Sequence, residues 1–186
     1  MNDLINALQQ VLPAVVKEWN EVKLQQFEQL FGQTFEKFFE GRQTQEKTKL
    51  VAPILDSVIA RYLKEELPNF DVAEGKGQDY LYNNIPIESK ITFGQGDSWT
   101  GNGYAKTPWH MLMRFEVLDN GTITRHFAMM VDMSTCKSQW TAPGTTSNFS
   151  TLKFVTEDYD NLIVATGSIS RLTNTGKAGK YVRAIF

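Results

Sequence analysis

Apolar side chains recur every three or four residues up to Leu67, and every second residue beyond it. The first pattern predicts helices and the second predicts strands. Leu4, Ile5, Leu8, Val11 and Leu12 share one helical face until Pro13, which is expected to interrupt them. Phe27, Leu30, Phe31, Phe35, Phe38 and Phe39 form an aromatic stripe with Gly41 as its expected stop. That stripe suits either helix-on-helix packing or docking on another chain. Leu55, Val58, Ile59, Tyr62 and Leu63 mark a further helix, expected to start or kink at Pro53. After Pro68, residues 80–82, 85–93, 109–117, 122–131, 152–155 and 162–165 read as strands. Asn83–Asn84 and Asn120–Gly121 suit two-residue hairpin turns, and the second sets Glu116 opposite Arg125. Residues 94–107 and 141–151 read as long polar loops. The expected fold is α+β (α/β): a helical N-terminal region, residues 1–67, packing on or extending a β-rich core, residues 68–186.

Charge and cysteine content narrow the chemistry. Nineteen basic and 21 acidic side chains leave a net charge of −2, which argues against a histone-like or purely electrostatic binder of nucleic acid. Cys136 has no cysteine to pair with, pointing to a reducing compartment and a small core residue. With only His110 and His126 beside it, a Cys/His zinc site is nearly excluded. No apolar run approaches the roughly 18 to 20 residues of a membrane span. The expectation is a cytoplasmic protein with no membrane partner. From Asn161 onward the chain holds Arg171, Lys177, Lys180 and Arg183 and no acid, a stretch suited to a phosphate backbone or simply to solvent.

Three acidic residues stand two before a lysine: Glu21/Lys23, Glu74/Lys76 and Glu88/Lys90. The first lies in a predicted helix, where residues two apart face different ways. The second lies in a glycine-bracketed loop. In the third, Ile85, Ile87 and Ile91 take one face of a strand, so Glu88 and Lys90 share the other. A two-residue turn at Asn83–Asn84 would set Asp79 opposite Glu88, about 5 Å away at a non-hydrogen-bonded pair. Two facing carboxylates need a cation, either Lys90 itself or a hard divalent ion with oxygen ligands such as Mg²⁺.

This arrangement resembles the active site of the PD-(D/E)XK nuclease superfamily, most closely its type II restriction endonucleases. The resemblance spans roughly residues 55–135 and implies a restriction-endonuclease-like mixed central β-sheet flanked by helices. Asp79 matches the first acid, Glu88 the second and Lys90 the lysine; Gln78 stands where the family pattern has proline. Asp79 and Glu88 would hold Mg²⁺, with Mn²⁺ as a substitute, and Asp56 is the best-placed further acid. The loop that follows offers Trp99, Asn102 and Lys106 as contacts to double-stranded DNA, or is an ordinary flexible loop with Trp99 tucked into the core. In size, acidity and layout the chain looks like the small, strand-cleaving subunit of a heterodimeric type IIS restriction endonuclease, whose larger partner recognises the target. A self-sufficient homodimeric restriction endonuclease is the alternative. A further alternative is a carbohydrate-binding module that stacks sugars on Trp99, Tyr104 and Trp140, with Asp79 and Glu88 on a structural Ca²⁺.

Overall fold

The computed structural model describes residues 1–74, 78–93, 98–101, 107–141, 150–173 and 180–185. Helices α1 (Asn2–Glu18), α2 (Leu24–Phe31), α3 (Phe35–Phe39) and α4 (Thr44–Glu66) come first, with a π-helical turn, Trp19–Lys23, joining α1 to α2. Strands follow: β1 (Phe70–Val72), β2 (Tyr80–Tyr82), β3 (Ile85–Phe93), β4 (Ser98–Gly101), β5 (Trp109–Val117), β6 (Ile123–Asp132), β7 (Ser150–Lys153), β8 (Leu162–Thr166), β9 (Ser168–Thr173) and β10 (Lys180–Ile185).

The change of period near Pro68 marks the change from helix to strand. Pro13, expected to interrupt its helix, lies inside α1, and Pro53 lies inside α4 and does not start it. Pro13 and Pro53 are exposed, as are Gln9 and Lys49 one turn earlier, so each ring lies on the solvent side of its helix. The aromatic stripe, by contrast, is cut. Gly32 ends α2 in the left-handed conformation, φ +65°, and Thr34 caps α3 by accepting the Lys37 N–H. The break folds the stripe onto itself, stacking Phe27 on Phe39 and tilting it against Phe31 and Phe35.

Among the described residues the main sheet has the order β1-β2-β3-β5-β6-β8. It is mixed: β3 pairs antiparallel with β2 and parallel with β5, and the other pairs are antiparallel. One face packs under the helices, where Leu8, Leu12 and Val15 of α1 and Leu55, Ile59 and Leu63 of α4 meet Ile87, Met111, Met113 and Met130. The opposite face carries a second, smaller core. There β4 and β7, paired antiparallel, bring Trp99, Leu152 and Phe154 onto Leu112, Phe127, Met129 and Val131, and buried Cys136 joins them. Two segments expected as loops thus supply β4 and the start of β7. In the basic C-terminal stretch β9 and β10 pair antiparallel, setting Thr173 opposite Lys180, while Lys177 lies outside the described residues.

Asn83 and Asn84 both have positive φ, 50° and 63°, as the two-residue turn requires, and Tyr82 pairs with Ile85, Leu81 with Pro86 and Tyr80 with Ile87. The β5–β6 turn is longer than expected. Gly121 takes φ +87° after Asn120, and its N–H bonds the Leu118 carbonyl at 2.9 Å. A bulge beyond Val117 restores the register, so Glu116 does pair with Arg125, their side chains 3.5 Å apart.

This turn is also where the helices are tied down. The Trp19 indole donates to the Gly121 carbonyl at 2.8 Å, while Asn20 accepts from the Ile123 N–H at 2.8 Å and donates to its carbonyl at 2.9 Å. A Cβ on Gly121 would come within 2.5 Å of Leu24 Cδ1 and 2.7 Å of the Phe35 ring. Gly121→Ala should therefore cost about 2–4 kcal/mol, combining positive φ with overpacking. Asn20→Ala should cost about 2 kcal/mol through two stranded backbone groups. Urea unfolding of both variants checks these values; a loss under 0.5 kcal/mol in either would refute the anchoring role assigned to the turn.

Candidate active site

Strand β3 is bonded on both edges, and its alternation divides its side chains cleanly. Ile87, Ser89, Ile91 and Phe93 face the helices; Glu88 and Lys90 face the β4–β7 layer. Lys90 Nζ donates to Glu88 Oε1 and to the Ser89 carbonyl, the latter at 2.9 Å, and lies 3.8 Å from Asp79 Oδ2. The three residues expected to form the site therefore do converge around one ammonium.

Asp79 arrives there by a route the register arithmetic does not give. The β2–β3 ladder ends at Tyr80↔Ile87. Asp79 then bends, donating its N–H to the Ile87 carbonyl at 3.0 Å while its own carbonyl accepts from Ala73, also at 3.0 Å. It is not the partner of Glu88 in the ladder. Its carboxylate is carried one residue further and accepts the Ser89 N–H at 2.7 Å.

Asp56 reaches the site indirectly. It stands on α4, on the helical side of the sheet, and accepts from the Ser89 hydroxyl at 2.8 Å. Ser89 thus links two acids, its amide bound to Asp79 and its hydroxyl to Asp56. Burial raises the Asp56 carboxyl above its ordinary range, and the negative charge of Asp79 adds to the effect; hydrogen bonds from Tyr80 and Ser89 only partly oppose it. An open groove of about 630 Å³ runs from Asp79, Gln78 and Asp56 along Ala60, Arg61 and Lys64 of α4. Arg61 pairs there with Glu18 and Glu65, and Lys64 with Asp71.

The residues expected to touch DNA fare differently. Trp99 is not on the surface: it is 3% exposed, its indole donating to the Met113 carbonyl at 3.3 Å and its ring lying under the Arg114 guanidinium. An alternating strand, β4, turns Trp99 inward where a loop had been expected, and this also removes it from a sugar-stacking surface. Asn102 and Lys106, like Tyr104, lie outside the described residues.

The sequence reading passed over His110 and Ser89 as site residues. His110 pairs with Glu88 across the parallel β3–β5 ladder, and burial pushes its pKa down to about 4. No local pattern announces that neighbour, because parallel pairing is set by the crossover and not by a turn.

Two carboxylates sharing one ammonium form an oxygen-only donor pair of the kind a hard divalent ion accepts, and the half-exposed Asp79 leaves the pair open to solvent. Among the described residues, no group of three or more His, Cys, Asp or Glu side chains is gathered closely enough to hold a metal. Any ion here would take two protein carboxylates and leave its other positions to water or substrate. Comparison with protein-family models, with curated proteins and with solved structures finds no match to the chain. Among the described residues no helix is long and apolar enough to cross a membrane.

Because Asp56 holds its proton to higher pH when folded than when unfolded, it costs stability as pH rises above its ordinary 3.8. Asp56→Asn should accordingly raise the melting temperature at pH 7.5 and raise it less at pH 4. Thermal melts at the two pH values check this, and a gain independent of pH would contradict the burial account.

Proposed function

We propose that the chain is a Mg²⁺-dependent DNA endonuclease that hydrolyses phosphodiester bonds, working as the small strand-cleaving subunit of a heterodimeric restriction endonuclease of type IIS. The observation that carries this reading is the convergence of Asp79, Glu88 and Lys90 around one ammonium at the bend just before β2. Its likeness to the PD-(D/E)XK constellation supports the choice of substrate. Asp79 and Glu88 would hold the ion, which when bound supplies positive charge to a phosphate oxygen. Lys90 keeps its proton at Nζ and offsets charge growing on the phosphate as water attacks phosphorus and the leaving oxygen departs. Ser89 fixes Asp79 through its amide and so aims one of the two carboxylates.

One such site cuts one strand, and a net charge of −2 is poor for holding a duplex unaided. The first point calls for a second site, which either a homodimer or a larger partner supplies; the second, with the resemblance, favours the larger partner that reads the target. A cytoplasmic location, where such an enzyme meets its DNA, belongs to the same proposal. The burial of Trp99 and the hydrogen bond from Trp140 to His110 weigh against the sugar-binding alternative.

Incubating the purified chain with supercoiled plasmid and Mg²⁺ or Mn²⁺ tests the proposal. Nicking that needs the metal should fall at least 100-fold in Glu88→Ala and in Lys90→Ala. Discrete double-strand cuts by the chain alone would favour the homodimer. Cleavage that survives Lys90→Ala would sink the assignment of the site.

A further inference from the structure

The face of β3 that carries Lys90 is walled by residues the reaction itself does not use. Gly101 ends β4 directly over the lysine stem. A Cβ there would lie 3.0 Å from Lys90 Cε and 3.5 Å from both Lys90 Cδ and the Trp140 ring. Its backbone has no positive φ, so what glycine provides at this position is room for a close approach. The Trp140 ring completes the wall. Its Nε1–H donates to His110 Nε2 at 3.1 Å, with the two rings 5.9 Å apart. An accepting Nε2 assigns the histidine proton to Nδ1, which then donates to the Pro108 carbonyl at 3.1 Å.

Each part of the wall is anchored separately. β4 is held on β5 by Arg114, which donates to the Ser98 carbonyl at 2.8 Å, and by the Trp99 indole. Before Trp140, the buried Asp158 carboxylate accepts the Lys137 and Ser138 N–H groups at 2.6 and 2.9 Å. After it, Thr141 bonds Thr151 of β7, which pairs with Thr100, while Ser150 beside it pairs with Gly101. A lysine has four rotatable side-chain bonds and ordinarily spreads over many rotamers. Here the stem runs along the sheet beneath the bare Cα of Gly101, with the Trp140 ring packed at that same glycine.

We propose that Gly101, Trp140 and His110 are positioning residues that hold the Lys90 ammonium against Glu88. Their effect on catalysis rests on the endonuclease reading; their effect on Lys90 does not. The test therefore uses two readouts on Gly101→Ala, Trp140→Phe, His110→Leu and His110→Gln, each first shown to melt cooperatively. The first is the Lys90 ammonium resonance in ¹⁵N–¹H spectra, assigned by its loss in Lys90→Ala. The second is metal-dependent cleavage with kcat and KM measured separately.

Gly101→Ala, Trp140→Phe and His110→Leu should broaden or shift the ammonium resonance and lower kcat roughly 10- to 100-fold with KM little changed. His110→Gln, whose side-chain oxygen can accept the indole N–H, should restore both. An ammonium resonance unaltered in Gly101→Ala and Trp140→Phe overturns the proposal, as does His110→Gln failing as badly as His110→Leu. If the resonance responds while cleavage is indifferent to Lys90→Ala, the clamp stands and the endonuclease reading falls.

Discussion

Strand β3 pairs with β2 from Ile85 to Ile87 and with β5 from Ile87 to Phe93, is covered on both faces, and the site follows from that confinement. A strand held this way cannot slip by one residue without turning Ile87 and Ile91 out of the helical core and Glu88 and Lys90 into it. Acid and lysine, two residues apart, are thereby locked on one face. Ser89 between them points the other way and is the natural link to the helical side, which is how Asp56 becomes connected to chemistry on the far side of the sheet. Placing carboxylates together is unfavourable unless positive charge answers them. Lys90 supplies that charge from within the same strand, so the protein tolerates its acid pair without help from outside.

The parallel neighbour of β3 shapes the rest. After Phe93 the chain must travel back along the sheet before entering β5 at Trp109. Here the return trip includes a strand, β4, laid across the opposite face. The crossover therefore covers the lysine as well as connecting two strands, and the second core of Trp99, Leu152 and Phe154 is what keeps that cover in place.

Much of this was legible in the chain itself. Period-2 alternation located β2, β3 and β5, and the Asn83–Asn84 pair gave the hairpin register because positive φ is a local demand with a local signature. Glu88 and Lys90 followed from alternation alone. What escaped were features decided at a distance. Pro13 and Pro53 stand inside their helices, each on a solvent-exposed side that tertiary packing decides. Asp79 leaves the ladder at a bend where its N–H bonds Ile87 and its carbonyl accepts from Ala73, a contact with a segment before β2. Trp99 turned out to be a core residue because β4 finds β7 some fifty residues later, a pairing that no turn residue advertises. His110 was hidden for the same reason.

The tie between Trp19 and Gly121 spans 102 residues of sequence. During synthesis from the N-terminus, α1 to α4 emerge long before the turn that anchors them, and their apolar stripe waits without the sheet that will bury it. Contacts so distant along the chain are formed late and at high entropic cost. The β5–β6 hairpin, local and closed by its own bulged turn, can form on its own timescale and then serve as the surface on which the waiting helices condense. On this view the helical layer, though first to be made, is among the last parts of the molecule to become native.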